Sequence, residues 1–173
     1  IEEQKIAGSQ NPYTEAWALY QQGRYAEAAD RILKRIADDQ KDPKAAHLLA
    51  RAYANQGRLT EALEWCEKAI AADKLNSGLH YLRYAILQEQ GLIDDAVIPL
   101  KRALDLDQNF VLAHFALGDL AMRQGRRRES NKHFKNALTL LRSYDHEDIL
   151  PESEGITAGR LSEIIASITG EEG

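Results

Sequence analysis

The sequence predicts an all-α fold: four helical hairpins stacked as a right-handed superhelix, with a C-terminal capping helix. Three observations lead there. Gly23, Gly57, Gly91 and Gly125 follow one another at intervals of 34 residues, each directly after a glutamine. Apolar residues recur at helical spacing on both sides of these glycines, as in Leu48, Leu49, Ala52 and Tyr53, or Phe115, Ala116 and Leu120. No segment alternates with period two, and 25 alanines with 22 leucines favour helix over strand.

The frame around each glycine repeats in detail. Five residues on stands Ala28, Ala62, Ala96 or Ser130, and nine on stands Ile32, Cys66, Leu100 or Phe134. Twelve on come Arg35, Ala69, Ala103 and Ala137. Small residues let two helices approach and the larger one fills the space between repeats, as stacked hairpins require. Arg35 is the exception.

Taken in order, the elements are a linker or flexible N-terminus over 1–8, repeats over 9–42, 43–76, 77–110 and 111–144, an acidic loop over 145–156 and a capping helix over 157–169. Helices are expected near 12–22, 25–39, 43–56, 59–73, 77–90, 93–106, 110–124 and 127–143. Asn11 before Pro12 and Asp42 before Pro43 read as an N-cap followed by proline at the first helical position. Asn76-Ser77 and Asn109 are the caps available to the third and fourth units. Pro99 falls early in its helix, where the N–H it lacks would cost a single bond near the start and a mild bend.

The tail is different in kind. Gly159 again follows by 34 residues, but the stretch from Asp145 to Gly155 is acidic, interrupted by Pro151, and without helical apolar spacing. It reads as a loop. Thr157 then caps a helix whose Leu161, Ile164, Ile165 and Ile168 form one apolar stripe, a cover for the exposed flank of an end repeat. The Glu171-Glu172-Gly173 end is expected to fray.

A 34-residue helix-turn-helix with this Gly and Ala pattern resembles the tetratricopeptide repeat. The residues that close each repeat here, Gln40, Lys74, Gln108 and Arg142, depart from the family's usual proline. The resemblance implies a concave face, lined by the first helix of each hairpin, that binds a protein or peptide segment. It assigns that face to Tyr13, Trp17 and Tyr20, then His47, Arg51 and Asn55, then Tyr81, Ala85 and Gln88, then Phe115, Asp119, Met122 and Arg123. Aromatic anchors with a few Arg and amide groups suit a partner-facing surface. The alternative for Trp17 and Phe115 is packing on a neighbouring helix. The family's carboxylate clamp for chaperone tails is not expected, since its phases hold Tyr13, Trp17, Leu48, Gly78 and Leu82.

A narrower resemblance covers about 55 residues of the C-terminal part. Phe115-Ala116-Leu117-Gly118-Asp119-Leu120, Gln124-Gly125-Arg126, His133-Phe134-Lys135-Asn136-Ala137-Leu138-Thr139-Leu140-Leu141 and the run from Leu150 to Leu161 are similar to the end of CheR-type chemotaxis methyltransferases that append tetratricopeptide repeats. The similarity implies a parent enzyme that transfers methyl groups from S-adenosylmethionine to chemoreceptor glutamates, with this chain as its non-catalytic domain. No cofactor is expected in the chain itself. A chemoreceptor or signalling-array component is the partner so implied, and a free-standing bacterial adaptor in an assembly or secretion system is the alternative. Because the chain starts at Ile1, it is read as processed or excised.

Composition narrows the classes further. With 22 Lys plus Arg against 27 Asp plus Glu, the net charge is -5, which lacks the overall attraction to phosphate of a nucleic-acid binder. The one basic cluster, Arg126-Arg127-Arg128 flanked by Arg123 and Lys132, has no interleaved aromatics and reads as a solvated turn. No run is long and apolar enough for a membrane span, so no membrane insertion is expected. One cysteine, Cys66, fits a reducing compartment such as the cytoplasm, and its position reads as a buried, inert thiol. His80 and His114 share a phase, but helices one repeat apart are roughly 10 Å apart, too far to share a metal at about 2 Å. No metal site and no catalytic residue is expected.

Overall fold

The computed structural model describes residues 11–36 and 42–170. The leading segment 1–8, the end of the second helix beyond Ile36, Gln40 and the terminal Glu171-Glu172-Gly173 lie outside the described residues. Nine α-helices make up the regular structure among the described residues: α1 (Pro12–Gln21), α2 (Tyr25–Ile36), α3 (Pro43–Asn55), α4 (Leu59–Ala72), α5 (Ser77–Glu89), α6 (Ile93–Leu106), α7 (Val111–Arg123), α8 (Arg127–Leu141) and α9 (Ala158–Thr169). The class is all-α.

Each periodic glycine performs the same act. Gly23, Gly57, Gly91 and Gly125 all have φ between 73° and 78°, in the left-handed region that a side chain disfavours. The amide after each glycine donates back to a carbonyl five residues earlier: Arg24 to Leu19, Arg58 to Tyr53, Leu92 to Leu87 and Arg126 to Ala121. That is the closure of a helix by a left-handed cap, and it lets the second helix start within two residues. In three of the four turns the arginine after glycine pairs with the glutamate three residues on, Arg24 with Glu27, Arg58 with Glu61 and Arg126 with Glu129.

The starts of the first helices are built from side chains. Asn11 Oδ1 accepts from the Tyr13 amide at 3.1 Å, and Asp42 Oδ1 accepts from Lys44 and Ala45 at 3.0 and 3.3 Å. Asn76 Oδ1 accepts from the Leu79 amide. Asn109 does not cap α7. Phe110 occupies that position without a side-chain bond, and Asn109 instead donates its amide to Asp107 Oδ1 at 2.9 Å. The Asx turn at Asp107 has already used the bend that Asn109 would have needed. Arg35, the odd residue of the repeat frame, reaches Asn11 Oδ1 at 2.9 Å and approaches Asp42 at 3.9 Å, so it ties the caps of α1 and α3 together.

The chain divides into two compact units, one from residue 1 to 75 together with 85–92, the other from 76 to 84 together with 93–173. In the first, Ala28, Ile32, Ala62, Cys66 and Ala69 are fully buried, as the repeat frame requires. The second buries Ala96, Leu100, Ala103, Ser130, Phe134 and Ala137 at the same phases. Pro99 is buried within α6. Gly118 is what admits Phe134: a Cβ there would lie 2.8 Å from the ring.

Residues 142–157 form a strap in the second unit. Leu150 donates its amide to the Ile156 carbonyl at 2.9 Å, Ile149 and Thr157 form an antiparallel bridge, and the Leu150 side chain is buried. Ala158 and Gly159 donate to the Asp148 and His146 carbonyls at 2.8 and 2.9 Å, which seats the strap against the start of α9. Thr157 caps that helix through the Arg160 amide. Leu161 and Ile165 are buried, while Ile168 at the far end of the stripe is 37% exposed.

Candidate functional site

In the first unit, α1 and α3 bring four of the expected residues into one constellation. Trp17 and Tyr20 are three apart on α1, so their rings share a face. They stack at 5.6 Å with planes 10° apart. From α3 the Arg51 guanidinium lies over both, 5.5 Å from the Trp17 ring and 5.0 Å from that of Tyr20. Such a cation over aromatic faces is worth about 0.5–1 kcal/mol where water has access. Asn55, one turn on from Arg51, donates Nδ2–H to the Tyr20 hydroxyl at 2.9 Å and to the Arg51 carbonyl at 3.0 Å.

Burial separates their roles. Tyr20 is 5% exposed and braced edge-on by Tyr25 at 5.2 Å, so it supports the site from below. Trp17, Arg51, Tyr13 and His47 are half-buried, and Asn55 is exposed. The surface offered outward is therefore an indole plane and a guanidinium, both oriented by groups beneath them. Ala85 and Gln88, on the part of α5 that belongs to the same unit, are half-buried.

The second unit holds the remaining expected residues, with a different outcome. Phe115 tilts against Phe134 at 5.8 Å, and Arg123 is paired with Asp119 at 2.9 Å one turn away. Met122 is exposed. Tyr81 meets Tyr84 at 5.6 Å and Phe110 at 5.1 Å. Burial, then the neighbouring Tyr84 and Glu152, pushes the Tyr81 hydroxyl well above the usual tyrosine range; burial and then Asp119, against Arg123, raise that of Tyr84. Both stay neutral hydroxyls at any ordinary pH.

Glu152 adds an element that periodicity did not disclose. Its backbone is left-handed at φ 63°, and its carboxylate lies where a Cβ on Gly78 would be, 2.8 Å away, at the first turn of α5. An acid at the positive end of a helix is stabilising. It borders a pocket of about 190 Å³ that includes Asn76, Phe110, Tyr144 and Pro151.

His114 meets His133 across its own hairpin, with ring centroids 5.9 Å apart. One nitrogen of His114 is 2.9 Å from the Gln108 carbonyl. Spacing alone does not disclose this pair: Phe115 and Phe134 lie ten and nine residues from Gly125, and an antiparallel hairpin in that register would match His114 with a residue beyond Phe134. Among the described residues no three His, Cys, Asp or Glu side chains converge as a metal site would need. Cys66 is buried. None of the described helices is long and apolar enough to cross a membrane.

The comparisons with known proteins agree with this architecture. Residues 13–77 match the tetratricopeptide repeat model. No curated protein matches the chain. Among solved structures, a crystal structure of MamA is 20% identical, covers 75% of this chain and 75% of that one, and superposes with a TM-score of 0.69. MamA from Desulfovibrio magneticus RS-1, residue 41 to the end, gives 22%, 78%, 76% and 0.69 for the same measures. MamA AMB-1 gives 24%, 79%, 74% and 0.62. Residues 13–77 are thus similar to the tetratricopeptide repeat, and the all-helical fold that carries them is shared with MamA over about three quarters of each chain.

Proposed function

We propose that this chain is a non-catalytic protein-interaction domain that holds a partner's peptide segment against the first helices of its hairpins. One observation carries the reading: the Arg51 guanidinium fixed over the Trp17–Tyr20 stack, with Asn55 locking the tyrosine beneath. Half-exposed Trp and Arg whose geometry is already set lose little freedom on binding, which is how a few residues come to dominate an interface. Tetratricopeptide repeats are protein-binding modules, and their stacked helices provide the extended surface.

The finer reading rests on the C-terminal similarity. The run Leu150-Pro151-Glu152-Ser153-Glu154-Gly155-Ile156-Thr157-Ala158-Gly159-Arg160-Leu161 supports an accessory domain of a CheR-type glutamate methyltransferase, placed to raise the enzyme's concentration near its chemoreceptor. S-adenosylmethionine would belong to the attached catalytic domain. Among the described residues no strand leads into a Gly-rich loop that could hold it. A second reading, a free-standing adaptor, draws support from the likeness to MamA, most of whose chain the shared fold covers.

Immunoblotting of source-cell lysate with an antibody against this domain separates the two. A band far above 19.4 kDa is expected for the methyltransferase reading, followed by methyl transfer from labelled S-adenosylmethionine to receptor membranes. A band near 19.4 kDa would sink it and leave the adaptor.

A further inference from the structure

From the outer face of α8 we infer a second docking surface, for an acidic protein segment of about four helical turns. Between residues 126 and 142 stand Arg126, Arg127, Arg128, Lys132, Lys135 and Arg142 against the single acid Glu129, in a chain whose net charge is -5. Arg128, Lys132, Lys135 and Arg142 fall at i, i+4, i+7 and i+14, one stripe along the helix. All four are exposed, as is Arg127.

These cations differ from five other arginines of the molecule. Arg24, Arg58, Arg126 and Arg160 each pair with the glutamate three residues on, and Arg123 with Asp119. Among the described residues, the side chains of Arg127, Arg128, Lys132, Lys135 and Arg142 form no ion pair. Arg142, at the C-cap of α8, suits the helix dipole, whereas Arg127 and Arg128 do not. Arg127 and Arg128 occupy the first turn of α8, where the helix dipole disfavours positive charge, and that start carries no side-chain cap. Two arginines that weaken their own helix end are explained by what they meet outside it.

Beside the stripe runs a groove between α8 and the C-terminal end of α9. One stretch, about 460 Å³, is lined by Lys135, Leu138, Arg142 and Thr169, and the next, about 610 Å³, by Arg127, Phe134 and Ile168. Asn131 and Thr169 border both. Cations along one edge and apolar side chains within fit a segment that alternates carboxylates with aliphatic residues. The stripe from Arg128 to Arg142 spans about 21 Å at 1.5 Å per residue, hence the four turns. Nucleic acid fits less well, since the groove offers no exposed aromatic plane on which a base could stack.

The test is fluorescence anisotropy on the full chain with three labelled probes of equal length: a helical peptide of glutamates interspersed with leucine and alanine, its glutamine twin, and oligothymidylate. The glutamate peptide is expected to bind at least about ten-fold more tightly than the twin, a difference of about 1.4 kcal/mol. Arg128→Glu with Lys135→Glu should abolish that advantage, while Trp17→Ala leaves it intact, which keeps this surface distinct from the first-helix site. Arg128 and Lys135 are both exposed, so circular dichroism should show unchanged helicity in the variant. Equal binding of the twins, tighter binding of oligothymidylate, or a charge-reversed variant that binds as before would each overturn the proposal.

Discussion

The first-helix faces of the first and fourth hairpins each bring an aromatic ring and an arginine into play, and use them in opposite ways. In the first, Trp17 is half-buried and its cation, Arg51, comes from the following hairpin, so the pair stays on the surface. In the fourth, Phe115 at the phase of Tyr13 leans on Phe134 of its own hairpin, and Arg123 is held by Asp119. One inner face is prepared for a partner and the other largely satisfies itself. The fourth hairpin instead carries its unpaired charge on its outer helix. Repeat phase therefore predicts where a side chain sits, but the neighbour it finds there decides whether it is available.

The sharpest way to break this contrast is to truncate an aromatic ring on each side. Phe134 is 1% exposed and fills the space opened by Gly118, so Phe134→Ala is expected to cost about 3–5 kcal/mol in urea unfolding. Trp17→Ala should cost only about 1 kcal/mol, chiefly the stacking on Tyr20. Equal losses would mean that Trp17 is a core residue and not a contact surface.

Gly159 tests the strap by which the second unit ends. A Cβ there would stand 3.0 Å from the His146 carbonyl oxygen and 2.7 Å from its ring nitrogen, and the carbonyl is already tied to the Gly159 amide. Gly159→Ala is therefore expected to lose about 1–3 kcal/mol. Thermal denaturation reads it directly, and an unchanged midpoint would show that the strap moves aside freely. For partner binding the informative variant is Trp17→Ala with Arg51→Ala: an affinity loss of about ten-fold or more, about 1.4 kcal/mol, with intact helicity. Unchanged capture of the partner would remove both residues from the site.

Much of the fold was legible because a repeat states the same local chemistry four times. The turn glycines, the buried residues five and nine on, and the Asn11 and Asp42 caps all depend on contacts within one hairpin or its edge. What the sequence hid depends on residues far apart in it. Arg35 looked like a fault in the frame until Asn11 and Asp42 were seen to receive it. Leu150 looked like loop until the Ile149–Thr157 bridge turned it inward. At the site, types and phases were visible but burial was not: Tyr20 lies beneath the surface that Trp17 presents, although both were assigned to it equally.

The smallest expected effect concerns His133, and its sign follows from linkage. Burial, and secondarily the charge of His114, hold the His133 ring below its ordinary value near 6.5; Lys132 and Arg126 act the same way and Glu129 against it. The folded state thus binds fewer protons than the unfolded one wherever His133 is neutral in the fold and charged outside it. Stability is complete above the unfolded value and declines as pH falls from about 6.5 toward the lower folded one. Between pH 6.5 and 5 this decline lies above the range in which carboxylates titrate, so it can be read separately from theirs. His133→Asn, which cannot acquire the charge, should flatten the fall in melting temperature over that interval. A slope identical to that of the parent chain would place the pH dependence elsewhere and show that the His114–His133 contact does not distinguish the folded from the unfolded ring.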